Sequence, residues 1–127
     1  MEVVDGTLTV NGATTVQMLT MSDSDGKQNG TSTLTVNGSM SWTGGYLKGT
    51  GSTVIASGAT LSISGSNNKT LDARTLSNSG VGTLGGTGQV RLYYAATISN
   101  QSGGLFDAQS DAALAHYRGG YSTFTHV

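Results

Sequence analysis

Hydrophobic and polar residues alternate along much of this chain with a period of two. In Thr7-Leu8-Thr9-Val10-Asn11-Gly12 the pattern puts Leu8 and Val10 on one side of an extended segment and the threonines on the other. Thr33-Leu34-Thr35-Val36-Asn37-Gly38 repeats it almost letter for letter. Asn-Gly follows the apolar pair in both copies and predicts a left-handed corner there. Looser copies stand at Thr60-Leu61-Ser62-Ile63-Ser64, Thr83-Leu84 and Leu105-Phe106. The leading apolar residues, Leu8, Leu34, Leu61, Leu84 and Phe106, are spaced by 26, 27, 23 and 22, within the window in which each repeat is one winding of a solenoid.

Further rows support the same reading. Thr75-Leu76-Ser77-Asn78 recurs as Thr97-Ile98-Ser99-Asn100 and again as Thr123-Phe124-Thr125-His126, at intervals close to those of the leading row. A less regular set consists of Met18, Met40 or Trp42, Leu71, Leu92 and Leu114. Three rows predict three short strands and three corners per winding. The expected fold is all-β, a right-handed, three-faced parallel β-helix of about five coils, with residues 1–127 as one β-solenoid domain. The segment Ser22 to Gly30 is expected as a polar loop that breaks the pattern. No stretch of ten residues sustains helical spacing, and Asp111–Tyr117, where alanines favour helix, is assigned to strand by its place in the rows. A single coil cannot bury its Leu or Ile residues. Stacking gives each of them neighbours above and below, and pairs the backbone on both sides. If the repeats stack in register, Thr7, Thr33 and Thr60 form one outward column and Thr9, Thr35 and Ser62 a second, an array that resembles the faces of ice-binding solenoids.

Composition agrees with a strand-rich chain. Ser and Thr number 35 and Gly 20, proline is absent, and 10% of the residues are charged. Proline cannot donate to a ladder, so a chain of interior strands excludes it. Six basic and seven acidic residues give a net charge of -1, with no basic run to track a phosphate backbone, so nucleic acid is not an expected partner. The lack of cysteine excludes disulfides and thiol chemistry. No apolar run is long enough to span a membrane and no signal peptide is evident, so no membrane insertion is expected.

Candidate chemistry is sparse. Asp23-Ser24-Asp25-Gly26 resembles the centre of a calcium loop, but Met21 and Ser32 stand where an acid and a bidentate Glu are needed. Gly85-Gly86-Thr87-Gly88-Gln89-Val90 starts like a calcium nonapeptide and has Val90 at the Asp position. Neither is assigned a metal. Gly49-Thr50-Gly51 and Gly86-Thr87-Gly88 lack the rest of a phosphate loop and are read as bends with positive φ. Asn29-Gly30-Thr31, Asn37-Gly38-Ser39, Asn68-Lys69-Thr70 and Asn100-Gln101-Ser102 are formal glycosylation sequons that a chain this rich in Asn, Ser and Thr produces by chance. Hydrolysis of a polysaccharide needs grouped carboxylates. The pairs on offer are Asp72 with Arg74, read as a surface bridge, and Asp107 with Asp111. His116 and His126 are read as surface residues. The chain is assigned no catalytic residue, no metal and no cofactor, and is not expected to be an enzyme.

The run Trp42-Thr43-Gly44-Gly45, Gly49-Thr50-Gly51, Gly58-Ala59-Thr60-Leu61-Ser62-Ile63-Ser64-Gly65, Lys69-Thr70-Leu71-Asp72-Ala73-Arg74-Thr75-Leu76-Ser77-Asn78 and Gly86-Thr87-Gly88 resembles the repeats of bacterial adhesin-like, filamentous-haemagglutinin-like or autotransporter-passenger-like surface proteins. That resemblance implies an extracellular or cell-surface stalk, with this chain a fragment of a longer repeat protein. The expected function is structural and adhesive. Expected contacts are glycans or other surfaces, through Tyr93 and Tyr94 or Trp42 and Tyr46 unless these aromatics serve as packing. Without an evident cap at either end, rods of this kind also invite end-to-end stacking into a homo-oligomer or fibre. The alternatives are an ice-binding solenoid and a polysaccharide-active fragment.

Overall fold

The computed structural model describes residues 1–111 and 114–126, and the described residues form strands joined by turns with no helix. In chain order the strands are β1 (Glu2–Val3), β2 (Thr7–Thr9), β3 (Thr14–Met21), β4 (Lys27–Asn29), β5 (Thr33–Trp42), β6 (Gly45–Lys48), β7 (Ser52–Ile55) and β8 (Thr60–Ile63). They continue as β9 (Lys69–Asp72), β10 (Thr75–Asn78), β11 (Val81–Leu84), β12 (Val90–Tyr93), β13 (Thr97–Asn100), β14 (Leu105–Ala108), β15 (Leu114–Arg118) and β16 (Thr123–His126). All pairings are parallel and join strands one winding apart, the signature of a β-solenoid of about five turns.

Three faces surround one core. Face A carries β7, β10, β13 and β16; face B carries β8, β11 and β14; face C carries β2, β4, β6, β9, β12 and β15. Faces A and B join where β3 and β5 run from one to the other without a break. The first half of β5 pairs with β7 and its second half with β8. Asn37-Gly38 lies at that bend inside β5, beside a register shift against β3. Neither Gly12 nor Gly38 has positive φ, so the predicted Asn-Gly corners are bends in extended chain. The left-handed residues line up elsewhere. Gly30, Gly49, Ala73, Tyr94 and Gly119 each follow a face-C strand and each have positive φ, so this corner recurs from coil to coil whatever residue fills it. Gly49 and Gly86 have the positive φ expected of them.

Parallel stacking is as the sequence predicts, but the leading row is not. Leu8 lies on face C opposite Gln28, Leu34 on face A opposite Thr53, and Leu61 on face B opposite Met40 and Gly82. The two nearly identical hexapeptides therefore occupy different faces, because period-two alternation fits any of the three. One inward column on each face is Leu34, Thr53, Leu76, Ile98 and Phe124 on face A; Leu19, Met40, Leu61, Gly82 and Phe106 on face B; and Gln28, Leu47, Leu71, Leu92 and His116 on face C, with Phe124 and His116 exposed in the last coil. Thr75, Thr97 and Thr123 do stack as predicted. In the third row only Leu71 and Leu92 are true neighbours, while Met18 is exposed on face B. The expected polar loop Ser22–Gly30 contains β4, whose Gln28 is fully buried. Of the segment Asp111–Tyr117, Leu114 to Tyr117 is strand, as assigned, and Ala112 and Ala113 lie outside the described residues.

Polar columns run through this core as well. Asn78 Nδ2 donates to Asn100 Oδ1 at 2.9 Å, and Asn100 Nδ2 lies 2.8 Å from His126 Nδ1, forming a ladder through three coils. Thr53 Oγ1 donates to Gln28 Oε1 at 2.7 Å and accepts from Arg74 Nε at 2.8 Å. Stacked amides and hydroxyls satisfy one another here much as the backbone does. Among the described residues Trp42 is the exception: it is fully buried and its Nε1 has no acceptor there.

Candidate functional site

Alternation along β4, β6, β9, β12 and β15 points every second side chain of face C outward. One outward column is Lys27, Tyr46, Thr70, Arg91 and Ala115, and beside it Lys48, Asp72, Tyr93 and Arg118 form a second. The register slips between Leu92 and Tyr93, so Tyr117 is an extra residue in β15. Such a bulge re-aims a side chain, and here the Tyr117 ring stacks on Tyr93 with centroids 5.5 Å apart and planes 11° apart. The Arg91 guanidinium lies 4.6 Å from the Tyr117 centroid. Gln89 Oε1 accepts from both Arg91 Nε (3.0 Å) and Tyr117 Oη (2.8 Å), which fixes the group. Tyr94 is 6.2 Å from Tyr93 and half exposed. Nearer the N-terminal end of the same face, Lys27 Nζ sits 5.3 Å from the Tyr46 centroid, a contact that favours a cation held over an aromatic face.

This surface collects the charge that the sequence scatters. Of the six basic residues, Lys69 and Arg74 are buried, and the other four, Lys27, Lys48, Arg91 and Arg118, all stand outward on face C. Sequence reasoning found Tyr93 and Tyr94 but missed the cations and Tyr117. Only the coil register, which composition does not carry, brings them together.

Arg74 is not a surface residue. Left-handed Ala73 turns the chain between Asp72 and Arg74, so the carboxylate stands outward and the guanidinium enters the core. All five of its N–H groups are used: Nε on Thr53 Oγ1, Nη1 on the carbonyls of Gly30 (3.2 Å) and Lys48 (3.1 Å), Nη2 on those of Ser32 (3.4 Å) and Ser52 (2.9 Å). Removal from water lowers its pKa to about 10, so it stays charged at neutral pH. The residue therefore ties together corner carbonyls from successive coils. Lys69, also fully buried, donates to the carbonyls of Ser64 and Asn67 at 2.9 and 2.7 Å and closes the turn before β9, and burial lowers its pKa.

The other predicted residues are dispersed. Trp42 is in the core and Tyr46 on face C, so they form no joint patch. Asp107 is exposed on face B, accepting from Gln109 Nε2, and Asp111 is exposed beyond β14. His116 Nδ1 lies 3.0 Å from Ser122 Oγ at the last described coil. Among the described residues no group of three or more His, Cys, Asp or Glu side chains is placed to hold a metal ion. Thr7, Thr33 and Thr60 stand on three different faces, so the predicted threonine columns do not exist. Face A has outward columns of its own, Thr33, Ser52, Thr75, Thr97 and Thr123, all hydroxyl-bearing, beside Thr35, Ser77, Ser99 and Thr125 with Val54 interrupting the hydroxyls between Thr35 and Ser77. Compared with protein-family models, curated proteins and solved structures, the chain gives no match to any of them.

Proposed function

We propose that this chain is a structural and adhesive module of an extracellular bacterial surface protein, a stiff segment that presents flat sheets to other surfaces. The observation that carries the reading is continuity. The ladders run from coil to coil in parallel, with one shift between β3 and β5 and one between β12 and β15, and among the described residues the outermost strands have a neighbour on one side, so further coils or further copies can add without new machinery. The apolar end formed by Phe106 and Phe124, in edge contact at 5.2 Å over a depression of about 260 Å³, is where a second copy would stack to begin a fibre. The reading includes no catalysis, since Asp72 and Arg74 are divided by the wall of the coil.

Beads coated with the chain should be retained on cell surfaces above albumin-coated beads, and sedimentation at rising concentration should show stacked species. Retention equal to albumin overturns the adhesive reading, and a monomer at every concentration overturns the stacking. The outward columns of face A, hydroxyl-bearing except at Val54, support a second reading, an ice-binding solenoid, which shares Thr33 and Thr35 with the columns the sequence suggested and replaces the rest. Thermal hysteresis no greater than that of albumin would dispose of it.

A further inference from the structure

From the outward side of face C we propose a binding surface for an acidic polysaccharide, a polymer of uronate-type sugars; this rests on the adhesive reading and names its ligand class. Three features converge. The four solvent-reaching cations all occupy this one face, although the chain as a whole carries a net charge of -1. Between them lie aromatic rings, Tyr46 in one column and Tyr93 with Tyr117 across the other, and sugar rings pack their apolar C–H faces on such platforms while hydroxyls and carboxylates reach the flanking donors. The group is also held in advance: Gln89 fixes Arg91 and Tyr117 together, so little side-chain freedom is lost on binding.

The aromatic platforms between the cations select the kind of polyanion. Lys27 and Arg91 are three coils apart in one column, as are Lys48 and Arg118 in the other. At the spacing of paired strands that is roughly 14 Å between cations in a column. A nucleic-acid duplex carries a phosphate about every 3.4 Å of axis on each strand, its bases are stacked inside, and it offers these tyrosines no apolar ring face. A polyuronate presents a sugar ring with every carboxylate, so rings can pack on Tyr46 and on the Tyr93–Tyr117 pair while carboxylates near Lys27, Lys48, Arg91 and Arg118 find a cation. The columns of cations and rings run along the solenoid axis, so the polymer lies along them.

The test uses the intact chain and alginate as the polyuronate, with dextran as a neutral glycan and single-stranded DNA as the competing polyanion, read by surface plasmon resonance. Alginate is expected to bind and dextran not, with binding lost as salt approaches the range where screening shortens to about 3 Å. The double variant Lys48→Gln with Arg91→Gln should weaken alginate binding about tenfold, and Tyr93→Ala should also weaken it, while Ser77→Gln on face A leaves it unchanged. Binding is compared well below the lowest thermal midpoint of the set, because Arg91 and Tyr93 are half-buried and hold Gln89 and Tyr117, so replacing them costs some stability. Alginate bound no better than dextran, or bound undiminished by the double variant, overturns the proposal, as does single-stranded DNA bound more tightly than alginate. If alginate fails while coated beads still adhere to cells, the ligand class is wrong and the adhesive reading stands.

Discussion

Replacing Arg74 with methionine tests whether a buried cation holds this solenoid together or burdens it. The two outcomes differ in sign. Burying a guanidinium is unfavourable, as the fall of its pKa to about 10 reflects, and swapping a whole buried ion pair for apolar groups of similar volume is often neutral or stabilising. Here only one partner can be replaced. Four of the acceptors are backbone carbonyls, of Gly30, Ser32, Lys48 and Ser52, at a corner shared by three coils. No substitution removes them. Gly30 O also accepts from Gly51 N, and Thr53 keeps its bond to Gln28, so not every acceptor is orphaned. At about 1 kcal/mol net for each of the five bonds, less for those acceptors and with some recovery from losing the charge, the loss comes to about 3–5 kcal/mol. That is a large part of the ~5–15 kcal/mol available to a domain.

Lysine at the same position keeps the charge but offers three donors, and should fall between methionine and the parent. The measurement is urea unfolding followed by the fluorescence of Trp42, the chain's single tryptophan and fully buried. With a slope of about 2 kcal/mol per molar, Arg74→Met should lower the midpoint by about 2 M. A midpoint equal to or above that of the parent would refute the reasoning, because it would mean that the corner carbonyls find partners without the guanidinium.

Three other outcomes follow from the same geometry. Leu61→Asp, between Met40 and Gly82 in a buried column, should cost about 3–5 kcal/mol in the same urea experiment, and a cost under about 1 kcal/mol would contradict its placement. Gly30→Ala should be among the most damaging of the glycine changes, since φ is +125° and its added methyl would run into the Val10 carbonyl. Gly103→Ala, with φ +84° but open space around it, should cost only about 1–2 kcal/mol, and equal thermal midpoints for the two variants would count against the close approach. Lys69 predicts a pH effect. Its folded pKa is lowered by burial below the ordinary 10.5, so from that lowered value up to 10.5 the unfolded chain binds more protons and the penalty, complete at neutral pH, is relieved as pH rises. Measured against Lys69→Met, which has no such group, the parent should gain stability across that alkaline window, and a constant difference would show that Lys69 is not desolvated.

The kind of fold is written in the local pattern. Alternation, the absence of proline and rows that recur at nearly even intervals require strands stacked in parallel, and the row through Thr75, Thr97 and Thr123 was readable residue by residue. Which face each strand occupies is not written there. The true column from Thr33 through Ser52, Thr75, Thr97 and Thr123 advances in uneven steps, because corner loops differ in length while strands tolerate any face. A fixed period therefore matched Leu34 to Leu61 across a corner. The same uncertainty hid the cations of face C, which are far apart in sequence and adjacent only once the register is set. It also hid Arg74, whose carbonyl partners include Gly30 and Ser32, two coils away. Local chemistry decides that a residue is extended and which neighbours share its side, but only the closed coil, by stacking distant corners on one another, decides whether that side meets water or the core.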